Sequence, residues 1–304
     1  MADIQKAEMP KVKRVRKRRK IERFDVINIC ILMFLALLII FPFYNAILIS
    51  IVSEVEFIRR PFMLIPWEIT LDSYRFIIFG GRGLLYGYRA TLYVLFFGVP
   101  LNMFLTTCAA FVLSRKNFPG KGIFFFFIVV TMFFNGGLIP TYLTILHLGL
   151  NNSLWSVILL HGLNTFYLIL CRNYMLSIPE SMEESAKIDG ANDIVILFRI
   201  MLPLCKPILA TLVLFYAVDR WNEWFFSMLF IRSGNMMPLQ VFLRNIVFVS
   251  LFEHRDAIMD DLTFFFGDGI RMAAIVVTML PIMLFYPFVQ KYFVKGIMVG
   301  AVKS

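Results

Sequence analysis

Glu184-Ser185-Ala186-Lys187-Ile188-Asp189-Gly190-Ala191, followed by Phe198, Ile200, Leu202-Pro203 and Pro207, lies between two strongly apolar stretches of the chain. The polar segment around it, from Arg172 to Lys206, is long for a connection between neighbouring membrane helices, and connections of that length usually have a function. Ser177-Ile178-Pro179-Glu180 predicts a helix start, with Ser177 as N-cap, Pro179 in the first turn and Glu180 completing a capping box. A helix is therefore expected from about Ile178 to Lys187. Asp189-Gly190 ends it, because glycine accepts the positive φ that closes a helix, and Asn192-Asp193 cap a second helix that stops at Leu202-Pro203.

The flanks of this segment set its surroundings. The chain has 304 residues, of which 60% are hydrophobic and 16% charged, and its mean hydropathy is +0.77. Such a composition excludes an ordinary soluble domain and predicts an integral, all-α membrane protein. About twenty apolar residues cross the hydrocarbon layer, and six such runs are present, at about 26–50, 90–114, 122–146, 153–171, 207–231 and 272–290. The third and fourth are divided at Gly149-Leu150-Asn151-Asn152-Ser153, which carries turn chemistry. If both termini are cytoplasmic, about two thirds of the 30 Lys and Arg fall on that side, including the cluster before Asp25, Arg115, Lys116, Lys121, Arg172 and Lys206. Positive charge stays inside. The polar segment is then cytoplasmic.

The net charge of +10 is concentrated in the tail before Asp25, where it fixes topology and touches anionic lipid, so no nucleic-acid partner is implied. The apolar run that follows is too long for a signal-peptide core and reads as an uncleaved anchor. No phosphate-binding Gly-x-x-x-x-Gly-Lys-Ser/Thr loop occurs. Cys30, Cys108, Cys171 and Cys205 are scattered, and His147, His161 and His254 are isolated, so neither a metal site nor a catalytic residue is expected.

Asp219, Arg220 and Glu223 interrupt the fifth apolar run within Asp219-Arg220-Trp221-Asn222-Glu223-Trp224. Each charge costs about 3 kcal/mol at a helix centre, so these groups are expected to face protein or water. Their spacing puts them on neighbouring surface. Glu223 is expected to be shared between Arg220 and a solute path. The reading of a local ion pair that only stitches helices together stands beside it. Trp221 and Trp224 bracket Asn222 and Glu223, and apolar ring faces beside hydrogen-bonding groups suit a sugar. Gly136, Gly137 and Pro140 are expected to break or kink the third run and free backbone groups that need a watery or protein-lined setting, with a plain kink as the other reading.

The Glu-Ser-Ala, Asp-Gly-Ala and Leu-Pro at these offsets resemble the EAA motif of binding-protein-dependent ABC importer permeases, with Ser185 at a position where the family has alanine. Ile65 to Tyr74, Met132 to Tyr142, the Trp-Asn-Glu helix and the end from Gln290 to Lys303 resemble the MetI-like permeases of carbohydrate importers, in particular the second membrane subunit of maltose-type systems and its oligosaccharide subgroup. The resemblance implies a basic tail at 1–24, a first transmembrane helix at 25–52, an external loop at 53–87, a permease core at 85–296 with its coupling loop at 176–207, and a cytoplasmic tail at 297–304. It implies that Glu184, Ser185, Ala186, Asp189, Gly190, Ala191, Leu202 and Pro203 meet an ATPase, and that Trp221, Asn222, Glu223, Trp224, Asn135 and Gly136 are candidates for lining the solute path. Two ATPase subunits that carry the ATP and Mg, a second permease subunit and an extracytoplasmic sugar-binding protein are the implied partners in the plasma membrane. The external stretch from Arg232 to Asp268 would meet that binding protein. An ion-coupled secondary transporter using Asp219 or Glu223, and an ABC permease for a non-sugar solute, are the alternatives. An interfacial helix pair lying on lipid headgroups is disfavoured by charge, since Glu180, Glu183, Glu184, Asp189 and Asp193 outnumber Lys187 and Arg199.

Overall fold

A computed structural model describes residues 23–252 and 267–301, with side chains up to 248 and from 267 to 284. The basic tail up to residue 22, the external run from Glu253 to Asp261 and Lys303 lie outside the described residues. All regular structure among the described residues is helical. The chain forms two contact units, residues 1–45 and 46–304. In the first, α1 (Arg23–Ser50) is apolar around its whole circumference from Ile29 to Tyr44, and its spanning window is unburied, as for a helix facing lipid.

In the second unit, α2 (Glu54–Arg59) and α3 (Asp72–Phe79) flank a short irregular stretch. The buried Glu56 carboxylate holds that stretch by accepting the N–H groups of Trp67 (2.7 Å) and Glu68 (3.1 Å). The central element is α4 (Gly83–Ser114). Gly87, Thr91, Val94, Gly98, Asn102, Thr106 and Ala110 recur every three or four residues on its buried face. Small and polar residues at that spacing let helices approach closely where lipid removes the usual hydrophobic drive. A Cβ on Gly87 would sit 3.1 Å from the Leu239 Cα, and one on Gly98 3.2 Å from the Arg220 Nε.

Three of the expected spans are not single rods. The third run becomes α5 (Lys121–Phe133) and α6 (Leu138–His147), bent by 113°. Gly137 takes φ +87° at the break, and the Asn135 side chain accepts its N–H at 2.9 Å. Pro140 then falls in the first turn of α6, where a missing N–H costs nothing. The fourth run becomes α7 (Leu154–Leu160) and α8 (Thr165–Leu176), bent by 49°. Asn164 caps α8 by accepting the N–H groups of Phe166 and Tyr167. The turn between the third and fourth runs uses Gly149 at φ +67° and Asn152 at φ +56°.

The polar segment folds into α9 (Ser181–Ile188) and α10 (Asp193–Leu204), the latter meeting α11 (Lys206–Asn222) at 84°. The expected capping box at Ser177 does not form. Ser177 instead ends α8, its hydroxyl donating to the Tyr174 carbonyl at 2.7 Å, and α9 begins only after Pro179. A residue preceding proline is pushed away from helical backbone, which delays the start. Asn192 caps α10 as expected, accepting the Val195 N–H at 2.9 Å. α10 widens to a π turn at Ile196–Met201 and ends at Leu204, one residue beyond Pro203 and close to the expected stop.

The fifth run is interrupted at Glu223-Trp224, after which α12 (Phe225–Phe230) resumes. Counting each bent pair as one span, up to six crossings are long and apolar enough for a membrane. The fold closes with α13 (Leu239–Phe252) and α14 (Gly267–Ala301), which pack with α3, α4 and α11 around Ile77, Leu84, Trp221, Leu239 and Ala273.

Candidate functional site

The α9 turn is built from backbone chemistry. Gly190 takes φ +80°, the Gly190 N–H donates to the Lys187 carbonyl (3.0 Å) and the Ala191 N–H to the Ala186 carbonyl (2.9 Å). This is the Schellman closure that glycine favours. The small Ala186 side chain is buried with Ile196, Leu197 and Met201, so α9 lies flat on α10. Ser185 is exposed and its hydroxyl donates to the Ser181 carbonyl at 2.8 Å, a bond an alanine would lack.

Ion pairs attach this helix to the end of α4. Glu183 pairs with Arg115 and, at 2.9 Å, with Lys187; Glu180 pairs with Lys116 at 2.6 Å. Burial pulls the Arg115 pKa down from its ordinary value, opposed by the nearby Asp193, Cys205 and Glu180. Glu184 differs from its acidic neighbours. Its side chain is exposed, without an ion pair among the described residues, on the rim of a cavity of about 600 Å³ that Arg115, Lys116 and Glu183 also line. Asp189 and Pro203 are exposed too, and Ala191 and Leu202 are half-buried.

Sequence reasoning missed an apolar component of the same surface. Met182, Ile188, Ile194 and Phe198 are exposed, Ile188 at 86%. Large side chains left in the open along a polar segment mark a contact surface. Their signal was present in the primary structure as apolar residues in a run otherwise rich in charge.

The charged cluster of α11 is divided by the fold. Arg220 is buried and gives all its described hydrogen bonds to neutral oxygens: the Asn102 side chain (3.0 and 3.2 Å) and the carbonyls of Val157, Ile158 and His161 (2.8 to 2.9 Å). Asn102 in turn donates to the carbonyls of His161 and Gly162. Together these two side chains satisfy the backbone freed by the break between α7 and α8. The expected sharing of Glu223 with Arg220 is therefore corrected. Glu223 accepts the Phe226 N–H at 2.7 Å, capping α12, and its other oxygen is 3.6 Å from the His161 Nε2. The α7 carbonyls face Arg220 across the helix contact, while the helix break after Asn222 turns Glu223 toward α12.

Asp219 is exposed and accepts the Tyr167 hydroxyl at 2.9 Å. Asp219, Glu223, His161 and Tyr216 border a cavity of about 110 Å³, room for a few waters. The two tryptophans face different surroundings: Trp221 is buried edge-on to Tyr88, whereas Trp224 is exposed with the Arg244 guanidinium 4.9 Å from its ring. Asn222 is exposed, as are Asn135 and Gly136 at the break between α5 and α6. Among the described residues no group of three His, Cys, Asp or Glu is placed to hold a metal.

Comparison with known proteins agrees with this architecture. The polygalacturonan/rhamnogalacturonan transport system permease protein YtcP of Bacillus subtilis is 40% identical over 289 residues, covering 92% of this chain and 98% of its own. Protein LplC of the same organism is 37% identical, covering 92% and 95%. A chain from the crystal structure of a bacterial ABC transporter that imports the acidic polysaccharide alginate superposes with a TM-score of 0.83 at 31% identity, over 91% of this chain and 99% of its own. The family model for the binding-protein-dependent transport system inner membrane component matches residues 83–299. With helical breaks, an EAA-like turn and a family match over most of its length, this chain belongs to the MetI-like inner-membrane permeases of binding-protein-dependent ABC importers.

Proposed function

We propose that the chain forms half of the membrane path for an oligosaccharide that carries uronic acid units, and that α9 couples this path to ATP hydrolysis on a separate ATPase. The observation that carries the coupling is the α9 surface: a Schellman turn at Gly190, an exposed Glu184 without an ion pair among the described residues and exposed Met182 and Ile188 beside it. An apolar patch around one charge suits a cleft in another protein. The substrate class is supported by the substrates of the relatives, a galacturonan and an acidic polysaccharide. Two ATPase subunits, a second permease subunit and an extracytoplasmic binding protein complete the assembly, with both termini and α9 in the cytoplasm. When ATP closes the ATPase pair, the two coupling helices move together and the spans switch from inward- to outward-facing.

Affinity purification of this chain from its host membrane tests the reading. An ATPase is expected to co-purify, with recovery at least about tenfold lower for Glu184→Lys or Gly190→Pro, a loss of more than about 1.4 kcal/mol. Uptake by the chain alone on an ion gradient, insensitive to both substitutions, would overturn it in favour of a secondary transporter.

A further inference from the structure

Arg89 stands six residues beyond the first residue of α4, about 9 Å along the helix. It is exposed, and among the described residues no ion pair or side-chain hydrogen bond engages it. A guanidinium within an apolar run needs water or hydrogen-bond partners, and Arg89 stands at the edge of the run that begins at about residue 90. Arg220 solves that problem with five hydrogen bonds to neutral oxygens. Arg89 does not. It opens instead onto a groove of about 980 Å³ lined also by Tyr86, Tyr93, Phe97, Trp155 and Asn235. Tyr86, Arg89, Tyr93 and Phe97 follow helical spacing along one side of α4. The Tyr93 and Phe97 rings are 4.6 Å apart, and Trp155 lies 6.0 Å beyond Phe97.

We infer that this groove is a binding subsite for a uronate residue of the transported oligosaccharide, with the carboxylate on Arg89 and the sugar ring against the aromatic row. The inference rests on the oligosaccharide reading above and adds a location to it. A planar guanidinium matches a carboxylate in a two-pronged geometry. Ring faces accept the C–H faces of a pyranose, and the groove volume is at the upper end of the roughly 300–1,000 Å³ usual for small-molecule sites. The position also fits a path. Arg115, which anchors α9, lies at the other end of α4, about 39 Å away along the helix. Arg89 is therefore at the mouth opposite the coupling helix, the side from which a binding protein releases its load. By contrast, the Asp219 and Glu223 cluster carries the wrong sign to receive an acidic sugar.

The complete transporter, reconstituted in neutral-lipid vesicles with its ATPase and binding protein, provides the test. Uptake of trigalacturonate is compared with uptake of its methyl ester, which is neutral but has the same rings. For Arg89→Gln the ratio of acid to ester uptake is expected to fall about tenfold, and Arg89→Lys is expected to recover part of it. An unchanged ratio overturns the inference, and so does an equal loss of both sugars, which would assign Arg89 to packing or to a partner chain. Dependence of the Arg89→Gln defect on added anionic lipid, with no discrimination between sugars, would assign it to a headgroup and overturn it as well. Failure of the parent reading looks different: the unmodified transporter then moves neither sugar.

Discussion

Arg220 shows how one side chain replaces an absent turn of helix. Its guanidinium reaches three carbonyls at the end of α7 and the Asn102 amide oxygen at once, and Gly98 supplies the space. Removing it takes the side-chain donor from the Ile158 carbonyl and the Asn102 amide oxygen and weakens the hold on the Val157 and His161 carbonyls, a cost of about 3 kcal/mol or more. Thermal unfolding in detergent is therefore expected to show a large destabilisation for Arg220→Met. Arg220→Lys should recover little of it, since a compact ammonium lacks the fork that spans these acceptors. That a charge in the fifth apolar run must be satisfied was legible in the primary structure; its partners were not. Glu223 was the nearest candidate by spacing, yet Asn102, 118 residues away, is the side chain that meets Arg220.

At the level of elements, two ion pairs join α9 to the end of α4, the attachment that the proposed coupling would use. The Arg115–Glu183 pair is mostly buried, whereas Lys116–Glu180 is exposed. Exposed pairs contribute about 0–1 kcal/mol, so Lys116→Ala is expected to leave transport within about twofold. For the buried pair, transport per ATP hydrolysed should fall for Glu183→Arg or Arg115→Glu alone and recover in the double exchange, with a coupling of about 0.5–3 kcal/mol. Independent effects of the two exchanges would show that α4 does not carry the motion. The end of α9 was readable because Gly190 imposes a local backbone demand. Its start was misplaced because Ser177 had two uses, cap for the next helix or end of the last, and the geometry of Pro179 favoured the second.

For the whole molecule, the unburied faces matter as much as the core. Phe124, Phe126, Phe127, Phe133 and Ile139 around the bent third run are exposed within this chain, and lipid or a second permease must cover them. If a second permease does, co-expression with it is expected to raise the detergent-stable yield severalfold over this chain alone, because a partner that binds only the folded state stabilises it. Equal yields measured by fluorescence size-exclusion chromatography would instead leave those faces to lipid. The number of apolar runs, the uneven spread of Lys and Arg between them, the breaks at Gly137 and Gly149 and the turn at Gly190 could all be read from residue order alone. Each depends on composition or on the conformational range of a few neighbouring residues. The 113° bend of the third run, the inward turn of Trp221, the carbonyl partners of Arg220 and the aromatic groove at Arg89 could not. They arise from residues far apart in the chain, brought together when helices with small residues on their faces pack closely enough to exclude water and lipid.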